Sequence, residues 1–211
     1  MSNNAPPYIT TKNSVTTEKG IERMHEILHA ARQLFAAEGY AGLSMRRLAL
    51  TLNMSLSNVQ HYYKSKDILV DAMLMYTMNI FQAKIDNIAQ TMQQASRIDQ
   101  FNSTIEMFLD ELSDPVTHGV FFEIWALAER NVFASELMDK MIARERKTIF
   151  KLIQGLVPDI SDEQAKLRAV LIVAQVEGLM LFRLHKNVPQ KEVAEIHTAL
   201  RKSVLNLATV P

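Results

Sequence analysis

Apolar residues recur at steps of three and four along almost the whole chain, and nowhere do they alternate at the two-residue step of a half-buried strand. That spacing puts them on one face of helix after helix and confines the chain to an all-α fold. The first stripe, Ile21, Met24, Ile27, Leu28, Ala31, Leu34 and Phe35, predicts a helix over 18–38 that stops at Gly39. Six glycines and six prolines among 211 residues are too few for a turn-rich all-β fold. A composition of 48% hydrophobic and 22% charged residues is that of an ordinary globular protein, long enough to bury a core unaided.

Capping residues divide the remainder. Ser44 caps a short helix over 45–52, after which Asn53 tolerates left-handed backbone. Ser55 caps a third over 56–62. Ser65 caps a fourth over about 66–90, with Ile68, Leu69, Ala72, Met73, Tyr76, Ile80 and Ile88 on its apolar side. A fifth covers 98–112. Asp114-Pro115, an acceptor followed by proline at the first helical position, starts a sixth that runs to about 131. Ser135-Glu136 opens a seventh, which ends before Pro158. The capping box Ser161-Asp162-Glu163-Gln164 opens an eighth, and Asn187-Val188-Pro189 separates it from a ninth over about 190–207. About nine helices follow.

The formal net charge is zero, but it is unevenly spread. The first 66 residues carry eight Lys and Arg against four Glu, and the rest carries a matching excess of acid. A basic N-terminal part on an acidic body points to nucleic acid. The absence of cysteine excludes disulfides, thiolate zinc sites and Cys nucleophiles. Residues 1–17 are polar, lack the apolar core of a signal peptide and read as a flexible tail. The longest apolar run, 169–176, is half of what a membrane span needs. A cytoplasmic protein without membrane contact is expected.

The stretch SMRRLALTLNMSLSNVQHYYKSK, 44–66, carries the chemistry. Two short helices joined at Leu52-Asn53-Met54 match a helix-turn-helix. Leu48, Ala49 and Leu52 face inward, Met54 and Val59 pin the second helix to the first, and the small Ala49 permits close approach. Leu56, Ser57, Asn58, Gln60, His61 and Tyr62 are left for an outward face. Asn and Gln can bond adenine edges and Leu can touch a thymine methyl. Tyr62 and Ser57 can donate to phosphate oxygens, Lys66 adds charge, and Arg46 can reach a guanine or a phosphate. On spacing alone, this face is either a DNA reader or an ordinary surface of a helical bundle.

The wider segment ILHAARQLFAAEGYAGLSMRRLALTLNMSLSNVQHYYKSKDIL resembles the DNA-binding domain of TetR-family transcriptional regulators. The matching residues are Ile27-Leu28, Ala30-Ala31, Leu34-Phe35 and Gly39-Tyr40, then Ser44 with Leu48-Ala49, then Tyr62-Tyr63, Lys64, Lys66, Asp67 and Leu69. Three positions depart from the family pattern. Asn53 and Ser57 stand where Gly is common, and Gln60 stands where Tyr is usual and often contacts phosphate or base. The resemblance implies an N-terminal three-helix DNA-binding domain over 18–65, followed by a helical ligand-binding and dimerisation domain over 66–211. It implies a homodimer on a double-stranded, palindromic operator, with DNA contacts from Ser44, Met45, Arg46, Leu56, Ser57, Asn58, Gln60, His61, Tyr62, Lys64 and Lys66. It also implies a repressor released by a small molecule. The alternatives are a ligand-independent regulator or an activator working with a protein partner.

The body offers candidates for both further roles. His118, Phe121, Phe122, Trp125, Ala128 and Glu129 share one side of the sixth helix. With Met73, Tyr76 and Ile80, and with Phe101, Ile105 and Phe108, they form either a pocket for a small apolar or cationic ligand or a plain core. FFEIWALAERN loosely resembles the subgroup containing the betaine-pathway repressor. The eighth helix is apolar on nearly every side and the ninth carries a near-heptad stripe. Leu171, Ala174, Gly178, Leu181, Val193, Ile196, Leu200 and Val204 are the expected dimer interface, a four-helix bundle of the kind usual in the family. Glu177 is either a pocket-facing acid or a satisfied interface residue.

Nothing points to catalysis or a cofactor. There is no Gly-rich phosphate loop, nucleophile elbow or HExxH motif. His25 and His29 have a metal-ligand spacing, but no third ligand is near in sequence, so no metal is expected and both face solvent beside DNA. A helical enzyme or interaction module with an incidental helix-turn-helix is the remaining reading, and a specific DNA footprint separates it from a regulator.

Overall fold

The computed structural model describes residues 17–182, 186 and 188–210. The tail over 1–16 and His185 lie outside them. Among the described residues there are nine α-helices: α1 (Glu18–Gly42), α2 (Met45–Thr51), α3 (Leu56–Tyr62), α4 (Lys66–Thr91), α5 (Arg97–Ser113), α6 (Pro115–Ala128), α7 (Val132–Leu156), α8 (Asp162–Gly178) and α9 (Gln190–Thr209), with a 3-10 turn at Leu179–Phe182. The all-α class holds.

The helices start where side chains can satisfy their first free N–H groups. Ser44 Oγ accepts from Arg47 N at 3.2 Å and Ser55 Oγ from Asn58 N at 3.1 Å. Ser65 accepts from Ile68 N, Asp114 from Thr117 N and Ser161 from Gln164 N. Thr17, read as part of the tail, is the N-cap of α1 and accepts from Gly20 N at 3.2 Å. α7 starts earlier than Ser135, because Asn131 Oδ1 caps it by accepting from Ala134 N. Gly39 breaks α1 with φ +69°, and Asn53 takes φ 51° between α2 and α3. α8 stops at Gly178, and the apolar run beyond it tightens into the 3-10 turn.

The structure divides into two compact units. The first runs to Phe81 and takes in Gly119–Glu123 from α6; the second holds Gln82–His118 and everything from Ile124 onward. In the first, Met24, Ile27, Leu28, Ala31 and Phe35 of α1 are buried, as are Leu48 and Ala49 of α2, Val59 of α3, and Leu69, Val70 and Met73 of α4. Gly119 meets α1 so closely that a Cβ there would lie 2.7 Å from the Ala36 carbonyl oxygen. Gly119→Ala must push backbone, not a flexible tip, and should lower stability by about 1–3 kcal/mol, measurable by urea denaturation. In the second unit, Phe101, Ile105, Phe108, Ile149, Ile153, Ile172, Val176 and Val204 form one core.

Candidate nucleic-acid interface

α2 and α3 form the predicted helix-turn-helix. Ala49 is nearly fully buried, its carbonyl accepts from Met54 N at 2.8 Å, and Val59 is fully buried beneath α3. With Val59 turned inward, the 3.6-residue period turns Ser57, Asn58, Gln60 and His61 outward, and all four are exposed. Leu56 and Tyr62 are half-buried at the rim. The His61 and Tyr62 rings meet edge to face, 5.3 Å between centroids. Ser57 Oγ lies 3.0 Å from Ser55 Oγ. On α2 and its cap, Ser44 and Arg46 are exposed and Met45 half-buried; Lys64 is exposed after α3. The face combines amide, hydroxyl and imidazole groups that can bond base edges with cations that can meet phosphates.

Lys66 is engaged within its own unit. Its Nζ donates to the Tyr40 carbonyl and sits 3.8 Å from the centre of the Tyr40 ring. Burial lowers its pKa, against a smaller raising effect from Asp67. In the DNA-free chain the ammonium rests against the end of α1. The Tyr40 hydroxyl donates to Asp67, and that bond, together with burial and the Asp67 charge, pushes its pKa up to about 12. Tyr40 N donates to Glu123 Oε1 at 2.7 Å. Gly39 has no Cβ where one would touch that same carboxylate. Sequence reading missed Glu123, because nothing local marks an acid on α6 as the partner of an N–H 83 residues away. Arg47 pairs with Glu38. His25, expected in solvent, is half-buried with its ring 5.1 Å from that of Tyr76; His29 is exposed.

The expected ligand residues fall in both units, and several have other occupations. In the first, Met73 is buried, Tyr76 lies against His25, Ile80 is half-buried, and Phe121 stacks on Phe81 at 5.9 Å. Phe122 is 41% exposed. In the second, Phe101, Ile105 and Phe108 belong to the core with α7, α8 and α9. Glu129 is exposed at the end of α6. His118 is buried, with Nε2 2.9 Å from the Met180 carbonyl. A cavity of about 10 Å³ adjoins it, lined by Leu109, Leu112, Ser113, Leu179, Met180 and His197, with room for about one water. The Trp125 indole Nε1 is buried and has no hydrogen-bond partner among the described residues.

The interface stripe on α9 also needs revision. Val204 is fully buried in its own chain's core, and Leu200 packs partly against that core. Val193 and Ile196 are half-buried, Gly178 is half-buried, and Ala174 is exposed. Leu171 and Leu181 are exposed, as are Leu167, Val170 and Phe182.

Glu177 is neither at a surface nor alone. It is buried and hydrogen-bonded to Glu145 of α7, also buried. Burial first, then that hydrogen bond and the Glu177 charge, raise the Glu145 pKa well above the ordinary 4.5. One signal was legible: Glu145 occupies an apolar stripe position between Met141 and Ile149. A raised folded-state pKa means that the folded protein holds the proton more tightly. The contribution to stability is complete below the ordinary carboxyl range and is lost as pH rises through the raised value. Melting temperatures of wild type and Glu145→Gln should agree near pH 4.5 and diverge as pH rises, with the variant the more stable.

A helix-turn-helix with an exposed amide-rich recognition helix, on an otherwise helical body, defines a DNA-binding regulator. The comparisons with known proteins give its family. Residues 27–73 match the profile of bacterial regulatory proteins, tetR family, and residues 98–206 that of the BetI-type transcriptional repressor, C-terminal region. The chain belongs to the TetR family of transcriptional regulators. It is 33% identical over 165 residues to an HTH-type transcriptional regulator of the dhlA 5′ region in Xanthobacter autotrophicus, covering 74% of this chain and 77% of that one. Solved structures share the fold. A transcriptional regulator from Rhodococcus sp. Rha1 superposes with TM-score 0.70 at 20% identity, covering 89% of this chain and 99% of that one. One from Saccharomonospora viridis, in complex with choline, gives TM-score 0.70 at 19% identity over 88% and 96%. A TetR regulator from Haloarcula marismortui gives 0.72 at 18% over 89% and 97%. No helix among the described residues is long and apolar enough to cross a membrane.

Proposed function

We propose that the protein is a cytoplasmic repressor that binds a palindromic operator as a two-fold dimer and leaves it when a small cationic molecule binds the body. The observation that carries this reading is the match of 98–206 to the BetI-type repressor region. Residues 18–65 bind DNA and 66–211 bind the ligand and the second subunit. Base reading falls to Asn58, Gln60 and His61, with Leu56 against a thymine methyl. Ser44, Met45, Arg46, Ser57, Tyr62 and Lys64 hold the backbone. The dimer uses the exposed apolar side of α8 and the turn after it, where Leu167 is 62%, Leu181 60% and Phe182 71% exposed in a single chain.

A cation is favoured over a purely apolar ligand for two reasons. The solved relative from Saccharomonospora viridis holds choline. In the second unit of this chain, Trp125 is a half-buried aromatic of the kind that can meet a cation, and Glu145 and Glu177 are buried acids. α4 runs through both units as one helix, so a tilt of it would move the recognition helices out of register with the two half-sites.

The test is selection of bound sequences from random DNA, followed by titration of the complex with quaternary ammonium compounds. Enrichment of an inverted repeat, its release by one compound, and a change in Trp125 emission with that compound support the proposal. An operator released by nothing, and a gene that falls silent when the regulator is deleted, would favour an activator working with a protein partner.

A further inference from the structure

Three metal-ligating side chains converge among the described residues of the second unit, at a place that neither DNA binding nor the core requires. Glu106 and Asp110 lie one turn apart on α5 and so share a face. His197 comes from α9, 87 residues further along, and one ligand atom from each of the three lies within 4.8 Å of the others. A tetrahedral zinc with bonds of about 2.0–2.1 Å holds its ligands roughly 3.4 Å apart, so small side-chain rotations close the set.

The surroundings favour an ion over a chance cluster. His197 is only 7% exposed, and its Nε2 lies 3.5 Å from Ser113 Oγ, a partner of the kind that fixes the ring of a metal-bound histidine. Arg201 pairs with Glu106 at Oε2, which is itself buried. A groove of about 420 Å³ lined by Lys84, Ile88, Met92, Glu106, Met107 and Asp110 gives solvent access to both carboxylates. Lys84, the nearest cation in that groove, is already matched by Glu111. One imidazole with two carboxylates suits zinc better than calcium or magnesium, which take all-oxygen sets.

We infer that Glu106, Asp110 and His197 form a binding site for a divalent first-row transition ion, with Zn²⁺ as its occupant and water in the remaining position. A bound ion ties α5 to α9 and stabilises the second unit. The helices are joined there by side chains far apart in sequence, which is why spacing alone pointed to no metal.

The experiment titrates Zn²⁺ into the full-length, tag-free chain after chelator treatment, in competition with a chromophoric chelator. Wild type should bind one equivalent per chain, and at a hundredfold excess over Kd its Tm should rise by about 5 °C. Asp110→Asn and His197→Gln should each weaken binding at least tenfold. Asp110 is exposed, so its variant keeps the test meaningful if loss of the buried imidazole disturbs folding. The His25→Asn, His29→Asn double variant should bind as wild type. No binding by wild type at about 100 µM free zinc, unchanged affinity in Asp110→Asn, or loss in the His25, His29 variant would each overturn the assignment.

Discussion

Operator affinity should fall about a hundredfold when salt rises from roughly 50 to 200 mM. Each phosphate neutralised by a protein cation releases counterions, which contributes about −0.9 to the slope of log affinity against log salt. Among the described residues, the exposed cations beside α3 with no ion pair are Arg46 and Lys64. In the proposed dimer, two subunits would then neutralise four phosphates, a slope of about −4. Lys66 is left out because its ammonium is held by the Tyr40 carbonyl. If it left that bond for phosphate, the slope would steepen to about −5, and fluorescence anisotropy across a salt series distinguishes the two. Lys64→Ala should flatten the slope and weaken all sequences alike. Gln60→Ala should leave the slope unchanged, cost about 1–3 kcal/mol on the operator and relax preference at one base per half-site. A slope near zero would remove the DNA-binding assignment to this face.

Val204→Asp should unfold the second unit, whereas Leu171→Asp should leave it folded and separate the subunits. Val204 has no exposure in a single chain and sits in the core of the second unit. An unpaired charge there costs several kcal/mol, against a total stability of about 5–15 kcal/mol. Leu171 is 44% exposed in the single chain, so its charge is hydrated until a partner covers it. In the proposed two-fold dimer the cost is doubled, since each subunit would bring one charge to the interface. Circular dichroism reads the first outcome and sedimentation the second. A folded Leu171→Asp dimer would move the interface away from α8, and a folded Val204→Asp monomer would contradict the packing of α9.

The sequence alone determined what depends on neighbours within a few residues. Helix starts follow from a capping side chain three residues from the N–H that it satisfies, and Ser44, Ser55, Ser65, Asp114 and Ser161 all cap as expected. The turn of the helix-turn-helix follows from Asn53 at positive φ, and the outward face of α3 from Val59 facing in. Periodicity tells which residues share a face, but not what that face will meet. On α9 the stripe was real, yet Val204 turned to its own core, because α5, α7 and α8 offered apolar surface there. α8 carries apolar residues on several sides, and only packing decided that Ile172 and Val176 go inward while Leu167 and Leu171 stay out. The same reason puts Phe101 in the core of the second unit. Polar partners were least legible: Lys66 with Tyr40, Glu123 with the Tyr40 amide, Glu145 with Glu177, and Glu106 and Asp110 with His197 are each brought together only when helices distant in sequence pack. A charge is matched by whatever lies within a few ångströms in space, and sequence distance does not encode that separation.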